Sequence, residues 1–186
     1  MPTYLALLRG INVGGRNKVA MADLRQVAES LGHEDVATYI QSGNLVFSSP
    51  QADTGELADA LEQGIARQLG VQSAVVVLSR AELARAMADN PFPDEPDPRR
   101  VHAVFRRDER SPEAVQAVAA LQQKSREAGH ADEVIIVGRT LFLHTPDGFG
   151  RSDLAAQLFR SSAQAAGTAR NWATVTKLMA LLEAAG

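Results

Sequence analysis

Residues 36–49 read VATYIQSGNLVFSS, two β-rich runs joined at Ser42 and Gly43. Threonine, tyrosine, valine and phenylalanine favour extended backbone, and a glycine at a tight turn supplies the positive φ that a hairpin needs. The stretch therefore predicts a β-hairpin. It decides the fold because a helix pattern flanks it on each side, with a further strand pattern beyond each helix.

These flanking elements complete the order βαββαβ. Residues 3–8 and residues 73–79 predict buried strands. Asp53 and Glu56 resemble an N-cap pair at the start of the second helix. The first helix is predicted from apolar residues at the spacing i, i+3, i+4 and i+7, namely Leu24, Val27, Ala28 and Leu31. The order βαββαβ predicts a ferredoxin-like unit, with two helices on one face of an antiparallel sheet.

The second half of the chain partly repeats this order. Residues 90–98, NPFPDEPDP, form a proline-rich stretch that must be stiff and non-helical, and they predict a linker. Residues 99–186 then predict a strand, a helix, a hairpin turning at Gly138 and a helix from Ser152 to about Gln164. The prediction is an α+β fold in two subdomains. The first is βαββαβ with a trailing helix over residues 1–89, and the second is βαββα plus a C-terminal helix.

The C-terminal segment takes the place of the missing last strand. Residues 168–184, TARNWATVTKLMALLEA, predict a helix with two distinct faces. The inward face consists of Trp172, Val175, Met179 and Leu182. A polar stripe at i, i+4 and i+7 consists of Arg170, Thr174 and Lys177.

Composition limits the classes of protein to consider. The chain has 186 residues, of which 45% are hydrophobic, and this predicts a globular protein. It has no cysteine, which excludes disulfides, thiolate zinc sites and cysteine nucleophiles. The apolar run near the N-terminus is too short for a signal peptide or a membrane span, so we expect a cytoplasmic protein with no membrane partner. The net charge of -3 argues against a general nucleic-acid coat and leaves a homo-oligomer open.

Residues 9–18, RGINVGGRNK, form a basic, glycine-rich loop without an acid. In a ferredoxin-like sheet the first strand ends beside the turn of the hairpin, so the loop should lie next to Gln41, Ser42 and Asn44. Glycine N–H groups, cations and amides gathered at one edge suit an anion. The alternative is that the glycines only shape a turn and the cations are solvated.

A second basic segment supports the same interpretation. Residues 154–182 contain no Asp or Glu, while they carry Arg160, Arg170 and Lys177. A solvated helix face is the alternative. Together the two segments predict an anion-binding cleft between the halves, lined by Arg9, Asn12, Gly14, Gly15, Arg16, Lys18, Gln41, Ser42, Asn44, Arg151, Arg170, Asn171 and Lys177.

Standard catalytic and cofactor motifs are absent. The loop lacks the spacing and the GK[ST] end of a P-loop, and no GxGxxG opens a helix. The four histidines lack metal-site spacing, so we predict no metal and no cofactor. Catalytic residues stay unassigned, since Tyr39, His144 and Asp147 are titratable but no motif places them. Three classes remain open: a binder of nucleotide or nucleic-acid phosphate, an enzyme stabilising an oxyanion through arginine and backbone amides, and a protein-interaction module.

Several segments together resemble a known bacterial family, domain-of-unknown-function family 1697. They are LLRGINVGGRNKV, TYIQSGNLVF, ADNPFP, HTPDGFGRS and TARNWATVTKL, which occur in this order along nearly the whole chain. The resemblance implies a cytosolic bacterial protein of two α+β subdomains, the first similar to a ferredoxin-like fold. It implies no particular activity or cofactor.

Overall fold

A computed structural model describes residues 1–160 and 167–185 of the chain. The chain divides into two compact units, one formed by Met1–Arg85 with Thr176–Gly186 and the other by Ala86–Val175. These limits differ from the predicted linker at residues 90–98. The proline-rich stretch packs within the second unit, because the Phe92 ring stacks on His144 and the Glu95 carboxylate hydrogen-bonds the same imidazole.

The first unit has the predicted order of elements. These are β1 (Thr3–Leu8), α1 (Met21–Ser30), β2 (Glu34–Tyr39), β3 (Asn44–Ser48), α2 (Thr54–Leu69) and β4 (Val75–Ser79), followed by α3 (Arg80–Ala88). The sheet order is β2-β3-β1-β4, and every pairing is antiparallel. The predicted ferredoxin-like arrangement is confirmed.

The core of this unit explains why these elements form. Alternate residues of β1, Tyr4, Ala6 and Leu8, are buried in one apolar cluster with residues of α1 and α2. Alternation places one face of a strand on the core, and the i, i+3, i+4 spacing does the same for a helix. The predicted cap of α2 is present, since Asp53 Oδ1 accepts a 2.9 Å hydrogen bond from the Glu56 N–H.

The second unit is also an α+β layer. Its elements are β5 (Val101–Phe105), α4 (Pro112–Glu127), β6 (Glu133–Val137), β7 (Thr140–His144), α5 (Asp153–Arg160) and β8 (Thr168–Asn171). Helix α6 (Trp172–Ala185) follows, and from Thr176 onward it belongs to the first unit. The sheet order is β6-β7-β5-β8, again antiparallel. Ser152 caps α5, because its Oγ accepts a 2.9 Å hydrogen bond from the Ala155 N–H. The predicted end of that helix near Gln164 lies outside the described residues.

Strand β8 corrects the prediction that the second half lacks a last strand. Arg170 lies on β8 opposite Ala103 of β5 rather than on a helix. The sequence TARN does not alternate strand-favouring residues with polar ones. Its extended backbone therefore results from pairing with β5. The helix begins at Trp172, where Asn171 Oδ1 accepts a 2.9 Å hydrogen bond from the Thr174 N–H.

The later start of α6 also changes its buried face. Val175, Leu178 and Leu182 are buried, whereas Trp172 and Met179 are only half-buried. Thr174, predicted to lie on the polar stripe, is buried as well. The observed buried face is therefore rotated about the helix axis relative to the predicted one. Within residues 1–160 and 167–185, no helix combines the length and apolar character needed to cross a bilayer.

Candidate functional site

The basic loop lies at the edge of the first unit where β1 ends. Leu8 donates its N–H to the Gly43 carbonyl at 2.8 Å, which places the end of β1 beside the turn of the hairpin. Arg9 donates its N–H to the Ala74 carbonyl at 2.9 Å, and Ser73 Oγ donates to the Arg9 carbonyl at 2.9 Å. Three segments thus meet here, residues 9–18, 40–44 and 73–74. We call them together the rim.

Asn12 ties the loop to the turn. Its Nδ2 donates to the carbonyls of Val19 at 2.9 Å and Gln41 at 2.8 Å, while its Oδ1 accepts from the Val19 N–H at 2.9 Å. Its N–H donates to the Asn17 carbonyl at 3.1 Å. The side chain of Asn12 is therefore used within the protein, where it fixes the shape of the rim.

Removing this tie should weaken the fold measurably. We expect Asn12→Gly to lower the free energy of unfolding by about 1–2 kcal/mol, because the side-chain hydrogen bonds are lost while glycine keeps the left-handed backbone. Urea unfolding followed by circular dichroism measures it. Asn17→Gly is the matched control, since Asn17 is also left-handed but its side chain donates one hydrogen bond, to the Gly10 carbonyl. Equal losses in the two variants would contradict the role given to Asn12.

The backbone of the rim is unusually rich in left-handed residues. Positive φ angles occur at Gly10, Asn12, Gly14, Gly15, Asn17, Ile40 and Gly43. For Ile40, with φ 51, this conformation is a steric outlier, because a β-branched side chain disfavours it. Such strain concentrates at sites that bind or react. Gly14 and Gly15 are the two left-handed central residues of a tight turn, in which the Arg16 N–H donates to the Val13 carbonyl at 3.1 Å.

Exposure and charge single out part of the rim. Arg9, Arg16, Lys18 and Gln41 are exposed. Two apolar side chains are exposed beside them, Val13 at 66% and Ile40 at 50%. Residues 9–18 and 36–52 contain no carboxylate, although Glu62 of α2 accepts a hydrogen bond from the Val75 N–H at the start of β4. The rim thus presents positive charge together with apolar surface.

Two other predicted site residues shape the turn. Asn44 is fully buried, and its Nδ2 donates to the Tyr39 carbonyl and to Ser42 Oγ, both at 2.9 Å. Ser42 therefore has the turn-forming role that its position suggested. The predicted site residues did not include Val13, Ile40, Ser73 and Ala74 of the rim. An apolar side chain inside a polar glycine loop was the available signal for Val13.

The remaining predicted residues belong to other segments of the chain. Arg151 is exposed after β7, Asn171 caps α6 and Lys177 is exposed on α6. Arg170 is only 8% exposed, and its Nη1 donates to Thr168 Oγ1 at 2.7 Å and to the Ala169 carbonyl at 2.8 Å. Burial lowers the pKa of Arg170 to about 10. Its predicted presentation on a helix surface was wrong. A cleft shared by these residues and the rim stays a prediction.

Of the titratable candidates, His144 has a carboxylate partner within its own unit. His144 Nε2 lies 2.6 Å from Glu95 Oε2, and the Phe92 ring stacks on the imidazole. A hydrogen bond from the Asp97 N–H, and then the His144 contact, lower the pKa of Glu95. Tyr39 is half-buried and Asp147 is exposed. Across the described parts of the chain, no three His, Asp or Glu side chains are placed to hold a metal ion.

The chain is similar to known proteins over nearly its whole length. A solved structure, described as that of conserved bacterial protein SP0830 from Streptococcus pneumoniae, is 27% identical and superposes with a TM-score of 0.73. The similarity covers 97% of this chain and 98% of that one, so both share the two-sheet α+β architecture. No curated protein matched the chain. The family model described as "Protein of unknown function (DUF1697)" matches residues 1–140, and the chain therefore belongs to the DUF1697 family.

Proposed function

We propose that the rim binds an anionic ligand through a phosphate group, with a nucleotide or nucleic acid as the favoured class. One observation carries the proposal. Exposed Arg9, Arg16 and Lys18 stand on a loop whose backbone is left-handed at Gly14 and Gly15 and whose shape is fixed by Asn12. A preformed loop has less conformational entropy to lose when it binds.

The charges suit a phosphate in particular. Arginine presents a planar fork of donors that matches two phosphate oxygens, and lysine adds a point charge. Backbone N–H groups of a glycine loop can approach an oxyanion closely because no Cβ intervenes. An added Cβ at Gly10, Gly14 or Gly15 would meet no atom within 4 Å, so the outer side of the loop has space.

The exposed apolar side chains favour a ligand with an apolar part. Val13 and Ile40 would leave water if a nucleobase or sugar packed on them, and burial of apolar surface adds to affinity. A nucleotide or a single nucleic-acid strand supplies both a phosphate and such a face, whereas inorganic phosphate supplies only the charge. The strained backbone at Ile40 agrees with a binding role.

An acidic protein partner is the second candidate. Exposed Val13 and Ile40 beside three cations also resemble the mixture of apolar and charged groups found at protein interfaces. Catalysis by oxyanion stabilisation would require the same cations, but it also needs a titrating group at the rim.

We also propose that the protein is located in the cytoplasm, and that Arg151 and Lys177 take part in binding the anion. Self-association through the rim would make the partner a second copy.

Isothermal titration tests the proposal with three probes: ATP, adenosine and a short single-stranded RNA. We expect ATP or the RNA to bind and adenosine to bind at least about tenfold more weakly, since hydrogen bonds to charged groups contribute about 1.5–3 kcal/mol. The double variant Arg9→Ala, Arg16→Ala should reduce the affinity at least about tenfold. For the RNA, the slope of log K against log salt should become less steep by about 1 for each cation removed.

The matched control is Arg80→Ala. Arg80 is exposed in the same unit, but it follows Ser79, which pairs with Tyr4 at the opposite end of β1 from the rim. Its removal changes the net charge without touching the rim, so affinity should stay within about twofold of the wild type. Absence of binding to the wild type, or equal losses in the control and the double variant, would refute the proposal.

A further inference from the structure

The second unit repeats the geometry of the rim with different residues. β5 ends at Phe105, which pairs with Thr168 at the start of β8. Val104 pairs with Leu141 just after the turn between β6 and β7. The loop that follows β5, residues 106–110, reads RRDER, and the neighbouring turn carries Arg139. We call residues 106–110 with Arg139 the second rim.

Arg110 is the unusual residue of the second rim. It is only 7% exposed, and its Nη1 donates to the Arg139 carbonyl at 3.3 Å. Its Nε and Nη2 are buried, and within residues 1–160 and 167–185 neither has a hydrogen-bond partner. Buried donors are nearly always paired with protein, water or ligand. Two unpaired donors on one buried guanidinium therefore indicate a partner that is not among the described residues of the chain.

The two unpaired nitrogens form one edge of the guanidinium. Nε and Nη2 point their N–H bonds in parallel, and this edge binds the two oxygens of a carboxylate or phosphate. Arg99 shows the pattern within the same unit, because its Nε and Nη2 donate to Asp97 Oδ1 and Oδ2 at 3.0 and 3.1 Å. In Arg110 the corresponding edge meets no carboxylate in the part of the chain that the structure describes.

The surrounding charges add to the requirement for an anion. Burial, and then the charge of Arg106, lower the pKa of Arg110 to about 10, so the guanidinium stays charged at neutral pH. A buried charge without a counter-charge is strongly unfavourable. The loop contains two carboxylates, Asp108 and Glu109, but both are exposed and neither bonds Arg110. Positive charge is thus gathered here without a compensating acid on Arg110.

We propose that the Nε and Nη2 edge of Arg110, with the charge of Arg106 beside it, binds an oxyanion of the phosphate class. Two neighbouring cations favour a dianion over a single carboxylate. The loop from Arg106 to Arg110 has no helix or strand, so it can admit the anion without breaking a secondary-structure element. This site consists of other residues than the rim, and the proposal does not depend on the function of the rim.

The first experiment measures thermal unfolding of the full chain in inorganic phosphate and in chloride of equal ionic strength. We expect phosphate to raise the Tm of the wild type in a concentration-dependent way, because it binds the folded state. Arg110→Met should reduce this rise, and Arg110→Met combined with Arg9→Ala and Arg16→Ala should abolish it. The double variant Arg9→Ala, Arg16→Ala should keep the part that depends on Arg110, which distinguishes this site from the rim. Arg99→Met, at an exposed arginine of the same unit, is the control that should also keep it.

The first measurement of the second experiment uses the wild type, so it does not depend on the folding of a variant. Nuclear magnetic resonance of the arginine Nε–H groups should show one buried resonance that shifts with phosphate and not with chloride. Arg110→Lys, which keeps the charge but loses the fork, should weaken phosphate binding at least about tenfold. The proposal is overturned if phosphate leaves the wild-type Tm and Nε–H spectrum unchanged. An equal Tm rise in Arg110→Met would overturn it as well.

Discussion

Gly43→Ala should lower the free energy of unfolding by about 2–5 kcal/mol, because a left-handed backbone costs alanine about 1–2 kcal/mol and overpacking adds about 1–3 kcal/mol. Gly43 has φ 79, and an added Cβ would lie 2.7 Å from Leu8 Cβ and 2.8 Å from Ile11 Cδ1. Leu8 is a buried residue of a central strand, so its Cβ cannot move without the sheet. Urea unfolding followed by circular dichroism measures the loss.

Gly14→Ala separates the two causes. Gly14 has φ 58, but an added Cβ there would meet no atom within 4 Å. We therefore expect only the backbone cost, about 1–2 kcal/mol. The difference between the variants reports the contact of the hairpin turn with β1 and the loop. If both variants lose the same stability, the close packing of Gly43 against Leu8 and Ile11 is not a feature of the folded protein.

This pair of glycines also shows how far the sequence could predict the fold. Ser42 and Gly43 between two β-rich runs predicted the turn, since turn chemistry is local. The close approach of Leu8 and Ile11 to Gly43 depends on tertiary packing, which no local pattern reports. Strand β8 escaped prediction for the same reason, because Thr168–Asn171 is extended by pairing with β5 and not by its own propensity.

The candidate site was predictable to a similar extent. Strand order alone brought residues 9–18 to the turn of the hairpin, and the exposed cations follow from their polarity. Asn12 was predicted to bind a ligand, yet its side-chain amide donates hydrogen bonds to the carbonyls of Val19 and Gln41. Arg110 gave no signal, because RRDER reads as an ordinary solvated loop until its burial is known.

Acid should destabilise the protein through His102, by about 3 kcal/mol between pH 7 and pH 4. Burial lowers the pKa of His102 from 6.5 to about 4. Its Nδ1 is buried without a hydrogen-bond partner, and its ring lies 4.3 Å from that of Phe149. Between pH 6.5 and about pH 4 the unfolded chain binds a proton at His102 and the folded chain does not. Stability is therefore lost as the pH falls through 6.5, and the loss is complete near pH 4.

Unfolding in urea at pH 7, 6, 5 and 4 measures this loss, and His102→Phe isolates it. Phenylalanine can keep the contact with Phe149 but cannot be protonated, so the variant should lose about 3 kcal/mol less than the wild type over this range. Burial also lowers the pKa of His33. The loss of stability that follows from it is the same in the wild type and in His102→Phe, so it cancels when the two are compared. Glu95, with its lowered pKa, contributes only near and below the ordinary value of 4.5. His130→Gln is the control, since the side chain of His130 is 44% exposed, and it should keep the wild-type dependence. Parallel curves for the wild type and His102→Phe would mean that the imidazole is as accessible to protons in the folded chain as in the unfolded one.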